Sequence, residues 1–230
     1  MRSGSWSSGY SGETTTECRK ICCIFATILP KRQKTVKYAK KVLKRVDIPT
    51  RIQYNRVMIE KELKKYMTVY LDMDGVIADF FKAFAEANGK KHWKDVEDIE
   101  TKINELAKTD FFNTLELYPT SKALVDLVKK FAGDDWGICS SPLRGDHKNS
   151  SYWKKVWLSE KGFVPPKGEN LILTSNKPKY AVKNGKPNVL IDDKPENISN
   201  WIAKGGIGIR YQANKDSLTK VKKELTAALN

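Results

Sequence analysis

The sequence predicts a doubly wound α/β fold: a mainly parallel sheet flanked by helices on both faces, with a small helical insertion after the first strand. Three observations lead there. From Met67 onward, short apolar runs rich in β-branched residues alternate with longer stretches whose apolar residues recur at helical spacing. Such alternation builds strand–helix–strand units, and their crossovers make neighbouring strands parallel. A chain of 230 residues with 40% hydrophobic side chains also has enough apolar material for a real core.

The elements follow in order. "TVYLDM" reads as a strand, and "IADFFKAFAEAN" as a helix stopped by Gly89. The polar stretch "KKHWKDVEDIETKINELAKTDFFNTLELYP" reads as mostly helical and forms the insertion, bounded at about 80–118. "TSKALVDLVKKFAG" is an amphipathic helix with Thr120 or Ser121 as its cap. "WGICSS" is a strand, and "SSYWKKVWLSEKGF" a helix whose Trp153 and Trp157 pack on the sheet, as does Trp201 later. "NLILTS", "NVLIDD" and "GIGIR" are three more strands, with a helix over "PENISNWIAKG" and a closing helix over "DSLTKVKKELTAAL".

Charge separates this region from what precedes it. Residues 1–66 hold 16 basic against 5 acidic side chains, and residues 67–230 hold 26 against 22, so most of the formal +15 belongs to the front of the chain. The opening "MRSGSWSSGYSGETTTE" has a disorder-prone composition, while "KRQKTVKYAKKVLKRV" and "YNRVMIEKELKKYM" have helical spacing. The extension reads either as an arm for nucleic acid or a membrane surface, or as a solvated basic leader ahead of a domain that starts at Met67. The second reading is favoured, because one-sided charge without interleaved aromatics specifies little. The run "ICCIFATILP" is shorter than the roughly 20 residues a membrane span needs, and no small-residue cleavage site follows it. Of the four cysteines, three lie in the extension and Cys139 lies inside an apolar strand, which points to a reducing, cytoplasmic setting without disulfides.

Polar residues mark where the chemistry lies. Three strands end in groups an apolar core would not choose: Asp72 and Asp74, then Ser140 and Ser141, then Asp192 and Asp193. In an open parallel sheet the carboxyl ends of neighbouring strands form the ligand crevice, so groups far apart in sequence can converge there. Converging carboxylates repel and would take up protons unless a cation neutralises them. Mg²⁺ suits an all-oxygen donor set completed by waters and a substrate phosphate. Ser140 and Ser141 can donate to that phosphate, Lys177 can offset its charge, and Gly75 allows a tight turn beside Asp72. Asp72 is then a candidate nucleophile forming an aspartyl-phosphate, with Asp74 as general acid and base. The plainer alternative is that Asp72 and Asp74 are turn residues. The ordered set "LDMDGV", "CSSP", "SNK" and "LIDD" weighs against it.

Those segments resemble the four motifs of the haloacid dehalogenase (HAD) superfamily, Mg²⁺-dependent phosphatases with a Rossmann-like core. More narrowly, "LDMDGVIADF", "FFNTLELYP", "CSSPLR", "LILTSNK" and "VLIDDKPENI" resemble the 5'(3')-deoxyribonucleotidases of phage and bacterial type, over about residues 67–210. The resemblance implies a phosphatase acting on nucleoside monophosphates. It implies metal binding by the Asp72 side chain, the Asp74 main-chain carbonyl and Asp193, with Asp192 alongside. It places Ser140 and Lys177 on the phosphate, Phe80 beside the substrate, and Trp93, Phe111 and Phe112 as candidates for stacking on the base. Phe111 and Phe112 fit insertion core equally well. Ser140 stands where the family usually has threonine, and Ser175 where it has a basic residue, which leaves base and sugar preference open. Arg144 is a candidate contact of the phosphate or a surface arginine, and the loop residues His92 and His147 read as bystanders. Alternatives are a phosphatase for 3'-phosphorylated nucleic-acid ends or for another small phosphomonoester, and an inert scaffold whose basic arm binds nucleic acid. A homodimer is compatible with all of them.

A chain begun at Met67 is expected to fold as the full-length protein does; a far-ultraviolet circular dichroism spectrum lacking mixed helix–strand character would overturn the boundary.

Overall fold

The computed structural model describes residues 67–228, which belong to one unit, Val57–Asn230. The basic extension, its two helical stretches and its three cysteines lie outside the described residues. Five parallel strands form the central sheet: β1 (Val69–Leu71), β2 (Trp136–Ser140), β3 (Leu171–Leu173), β6 (Val189–Asp192) and β7 (Ile207–Arg210). Their order is β3-β2-β1-β6-β7, with Val69 in register with both Trp136 and Val189. A two-stranded antiparallel hairpin, β4 (Val182–Lys183) and β5 (Lys186–Pro187), precedes β6.

Why β1 is central follows from its residues. "VYL" is β-branched or aromatic or leucine at every position, and all three side chains are buried, as a strand covered on both faces requires. Successive side chains point to opposite faces. Val69 and Leu71 join Trp136, Ile138, Val189 and Ile191 in one cluster, whereas Tyr70 joins Cys139, Leu190 and Trp201 in the other. Helices α3 (Ser121–Ala132), α4 (His147–Glu160) and α6 (Leu218–Ala228) place Leu124, Trp157 and Val221 on the first face. Helix α5 (Pro195–Ala203) places Ile198 and Trp201 on the second. The predicted doubly wound fold is therefore the observed one.

The insertion departs from expectation. Helix α1 (Phe80–Ala87) is capped by Asp79, whose carboxylate accepts from the Lys82 amide at 3.1 Å. Beyond it the predicted helical stretch is broken into 3-10 turns at Trp93–Asp95 and Phe111–Asn113 and one short helix, α2 (Ile99–Asn104). Charged side chains on all sides leave this stretch without an apolar stripe long enough to hold a continuous helix. The chain returns beside its own departure, because Ala78 and Leu117 pair as an antiparallel bridge and the Asp79 amide donates to the Glu116 carbonyl at 2.9 Å.

Two polar side chains lock this return against the core. Ser121 does not cap α3; its hydroxyl donates to the Ile77 carbonyl at 2.7 Å, and Thr120 makes no side-chain cap bond either. Trp157, fully buried on α4, donates its indole N–H to the Leu115 carbonyl at 2.7 Å. Among the described residues no helix is long and apolar enough to cross a membrane.

Trp157→Ala removes both this bond and a large buried ring, and should cost about 3–5 kcal/mol. An unchanged urea midpoint would contradict the packing role given to it here.

Candidate active site

The strand order reverses at β1, which has β2 on one side and β6 on the other, and this is where an open α/β sheet leaves a crevice beyond its carboxyl ends. Parallel register brings the ends of all three strands level. Asp72 and Asp74 from β1, Ser140 from β2 and the Asp192–Asp193 pair from β6 thus converge by topology alone.

Two buried lysines organise the carboxylates. Lys177 enters from the turn after β3, and its ammonium lies 2.8 Å from Asp72 Oδ2 and 2.6 Å from Asp192 Oδ2. Lys154 enters from α4, donating to Asp74 Oδ2 at 2.5 Å and to Ser140 Oγ at 3.0 Å. Burial pushes the Asp72 carboxyl up, but Lys177 and Lys154, with the Met73 amide donating to Oδ1 at 2.7 Å, outweigh it and hold Asp72 below the ordinary carboxylate range. Asp74 goes the other way: burial raises it, and the neighbouring charge of Asp72 adds to the rise against the pull of Lys154. Two carboxyls on one strand exit are therefore driven apart, one ionised and one inclined to hold a proton, the separation of roles that acid–base chemistry needs.

The β6 pair also divides. Asp192 is fully buried and saturated: besides Lys177 it accepts from the Lys194 amide at 2.9 Å and from Asn197 Nδ2 at 3.0 Å on both oxygens. Asp193 is half-buried, and among the described residues no hydrogen-bond donor reaches its carboxylate. Burial, with Asp72 next, lifts Asp192 to about 6 and Asp193 to about 7. Oxygens of Asp72, Asp192 and Asp193 lie within 4.8 Å of one another. Four carboxylates face two ammonium groups here, so the cluster is two negative charges out of balance.

A hard divalent cation fits these residues. The donors are all oxygen, the uncompensated charge matches, and Asp193 together with the Asp74 carbonyl, which accepts no hydrogen bond among the described residues, offers unused ligand atoms. Asp72 and Asp193 would hold the ion directly, while Asp192, already saturated, aims Lys177. Gly75 is what lets the loops approach: its φ is +77°, and a β-carbon there would sit 2.7 Å from Asp193 Cγ.

The remaining predicted residues spread outward. Ser140 is fully buried and Ser141, next along the strand exit, half-buried. Phe80 is half-buried and stacks on Phe84 and Phe112 at 5.8 and 6.2 Å between centroids, with Phe111 edge-on at 5.7 Å. Phe111 and Phe112 themselves are buried in the insertion's core. Trp93 packs on Phe81 at 5.2 Å, away from the carboxylates' immediate surroundings. Arg144, His92 and His147 are exposed, His92 accepting from the Lys94 amide. Cys139 is buried and burial pushes its thiol up to about 12, which suits a core residue and not a nucleophile.

Lys154 is the site residue that sequence reasoning missed. A signal was available: α4 buries Ser150, Lys154, Trp157 and Leu158, so a lysine occupies a core position of an otherwise regular buried stripe. Tyr118 is a second: it is buried, hydrogen-bonds Asp79, and has its hydroxyl pushed up by burial, with Asp79 next.

No protein-family model matches the chain, and no curated protein does. Solved structures similar to it include a hydrolase from Streptococcus pneumoniae TIGR4, with 13% identity and a TM-score of 0.42 over 70% of this chain and 99% of that one. A HAD-superfamily hydrolase from Ehrlichia chaffeensis has 14% identity and a TM-score of 0.42, over 72% of this chain and 98% of that one. A HAD-superfamily hydrolase of subfamily IA from Geobacter sulfurreducens PCA has 14% identity and a TM-score of 0.41, over 66% of this chain and 92% of that one. The fold assignment rests on strand order and register, independently of these likenesses.

The raised carboxyls of Asp192 and Asp193 have a consequence for stability. Their folded-state values lie above the ordinary 3.8, so the folded metal-free protein binds protons more tightly than the unfolded chain, and their contribution declines as pH rises from about 4 to about 7. Added Mg²⁺ should therefore raise Tm more at about pH 8 than at about pH 5 in differential scanning fluorimetry, since at the lower pH it must displace protons. Equal increments at both would show that these carboxyls do not hold the ion.

Proposed function

We propose that the chain is a divalent-metal-dependent phosphatase of the haloacid dehalogenase type, hydrolysing nucleoside monophosphates, 5' or 3' and preferentially deoxy, to nucleoside and phosphate. The observation that carries the reading is the pairing of opposites at the β1 exit. Asp72 is kept ionised by Lys177 and Lys154, and Asp74, two residues on, is inclined to keep a proton. Ser140 and the Asp192–Asp193 pair complete the set in the order in which the sequence motifs present it.

The chemistry proceeds in two halves. An Asp72 oxygen attacks phosphorus and the bond to the leaving oxygen breaks, while Asp74 delivers its proton to that oxygen. Asp74 then takes a proton from water as the water oxygen attacks phosphorus and frees Asp72. Ser140 and Ser141 donate to phosphoryl oxygens, and Lys177 keeps Asp72 aimed through both halves while Asp192 anchors it. A bound Mg²⁺ would neutralise phosphoryl charge alongside Asp72 and Asp193. Deprotonated Asp72 and protonated Asp74 define opposite limbs of a bell-shaped pH–rate profile.

Support for a nucleotide substrate is the motif set together with the rings gathered above the carboxylates, Phe80 with Phe111 and Phe112 behind it. With its neighbours packed away, Phe80 is the ring placed to meet a base or sugar, and Trp93 is available only at the insertion's edge.

Purified protein with Mg²⁺ should release phosphate from deoxynucleoside monophosphates, and Asp72→Asn should abolish release, by at least about 10³-fold as expected for loss of a nucleophile. A panel of 5' and 3' ribo- and deoxynucleotides, with phosphorylated oligonucleotides beside them, checks the class. Activity confined to 3'-phosphorylated oligonucleotides would replace the mononucleotide reading with one of end repair.

A further inference from the structure

Lys154 is required by neither the nucleophile nor the phosphate, yet it is the most completely committed charge in the site. Its side chain is fully buried. Two of its three N–H donors go to Asp74 Oδ2 and Ser140 Oγ, and the ammonium lies over the Phe112 ring at 4.7 Å from the centroid. With its partners all inside the protein, Lys154 is not placed as a phosphate ligand.

What these contacts impose follows from hydrogen-bond direction. An ammonium only donates, so the oxygen it grips cannot itself carry a proton toward it. Asp74 Oδ2 is held in that way, whereas Oδ1 is buried and has no partner. The proton of a neutral Asp74 must then reside on Oδ1. The same logic applies to Ser140: its oxygen accepts from Lys154, so its O–H is turned outward and left to donate.

Resting on the phosphatase reading above, we propose that Lys154 is a positioning residue that selects Asp74 Oδ1 as the one oxygen carrying the proton to the leaving group, and turns the Ser140 hydroxyl toward the phosphoryl group. As the Asp72 oxygen–phosphorus bond forms and the ester bond breaks, the Oδ1 proton passes to the leaving oxygen. In the second half Oδ1 recovers a proton from water as the phosphorus–Asp72 bond breaks. Lys154 touches no substrate in either step. The Phe112 ring, in turn, closes the far side of the ammonium and keeps water from competing for it.

Leaving-group dependence tests this. An alkoxide, such as the 5'-oxygen of a nucleoside, needs a proton as it departs; 4-nitrophenolate does not. Lys154→Gln, which both donates and accepts and so imposes no proton position, should lower kcat on a deoxynucleoside monophosphate by about 100-fold but on 4-nitrophenyl phosphate by under about 5-fold. KM should stay within about 3-fold and Mg²⁺ affinity, read by calorimetry, within about 2-fold, because the lysine meets neither ligand. Lys154→Arg, which only donates, should recover most of the loss, and it serves as the test if the glutamine variant does not fold. Equal losses on both esters, or a loss expressed mainly in KM, would overturn the proposal. A readout without turnover accompanies it: in protein labelled with carbon-13 at aspartate carboxyls, the Asp74 signal, assigned by its absence in Asp74→Asn, should shift in Lys154→Gln. An unmoved signal overturns the contact. Phosphate release from neither ester by the unaltered protein would overturn the phosphatase reading and the leaving-group role with it, while the carbon signal still decides whether Lys154 holds Asp74.

Discussion

Four carboxylates gathered at the ends of two adjacent strands repel one another, and the architecture of this protein is organised around containing that repulsion. Two lysines from opposite flanks do it in a divided manner: Lys177 joins Asp72 to Asp192, and Lys154 joins Asp74 to Ser140. Removing one partner of a buried ion pair leaves the other unpaired, typically at about 3–5 kcal/mol. Stability and reactivity are thus linked through the same four contacts. The residual negative charge is what makes the cluster receptive to a divalent cation and, through it, to a phosphate.

The surrounding fold serves the precision of that cluster. Parallel register sets the three strand exits level, and the strand order opens the crevice between β1 and β6. Gly75 brings the β1 loop against Asp193 at a distance no side chain would allow. The insertion is tied back by Ala78 and Leu117, by Ser121 on the Ile77 carbonyl and by Trp157 on the Leu115 carbonyl. These bonds are all to backbone, so they hold the insertion's root in place without depending on its variable polar surface. The rings above the carboxylates grade from buried Phe112 through half-buried Phe80, which lets one packing unit both shield Lys154 and present an aromatic edge outward.

Within the site, environment separates groups that are chemically identical. Asp72 and Asp74 share a strand exit and both are buried, yet their neighbours set them in opposite directions. Asp192 and Asp193 are consecutive, yet the first is saturated with hydrogen bonds and the second has none on its carboxylate. A functional division of labour arises from placement, with no difference in side-chain type.

Much of this was legible in sequence. Strand–helix alternation determined the doubly wound sheet, because periods of two and 3.6 residues are dictated by backbone geometry before any tertiary contact forms. Polar residues at the ends of apolar runs marked Asp72, Asp74, Ser140, Asp192 and Asp193, since no core tolerates them without purpose. Tertiary structure decided the rest. The helical reading of residues 90–119 failed because marginal helices depend on a packed face, which that stretch lacks. Which residue of the Asp192–Asp193 pair stays free depends on Asn197 and the Lys194 amide, contacts that helix α5 supplies by folding back over the strand exit. Lys154 was hidden for the same reason: in sequence it is one lysine among many on a basic helix, and only the rotation of α4 against the sheet turns it inward to Asp74, where a surface charge becomes part of the site.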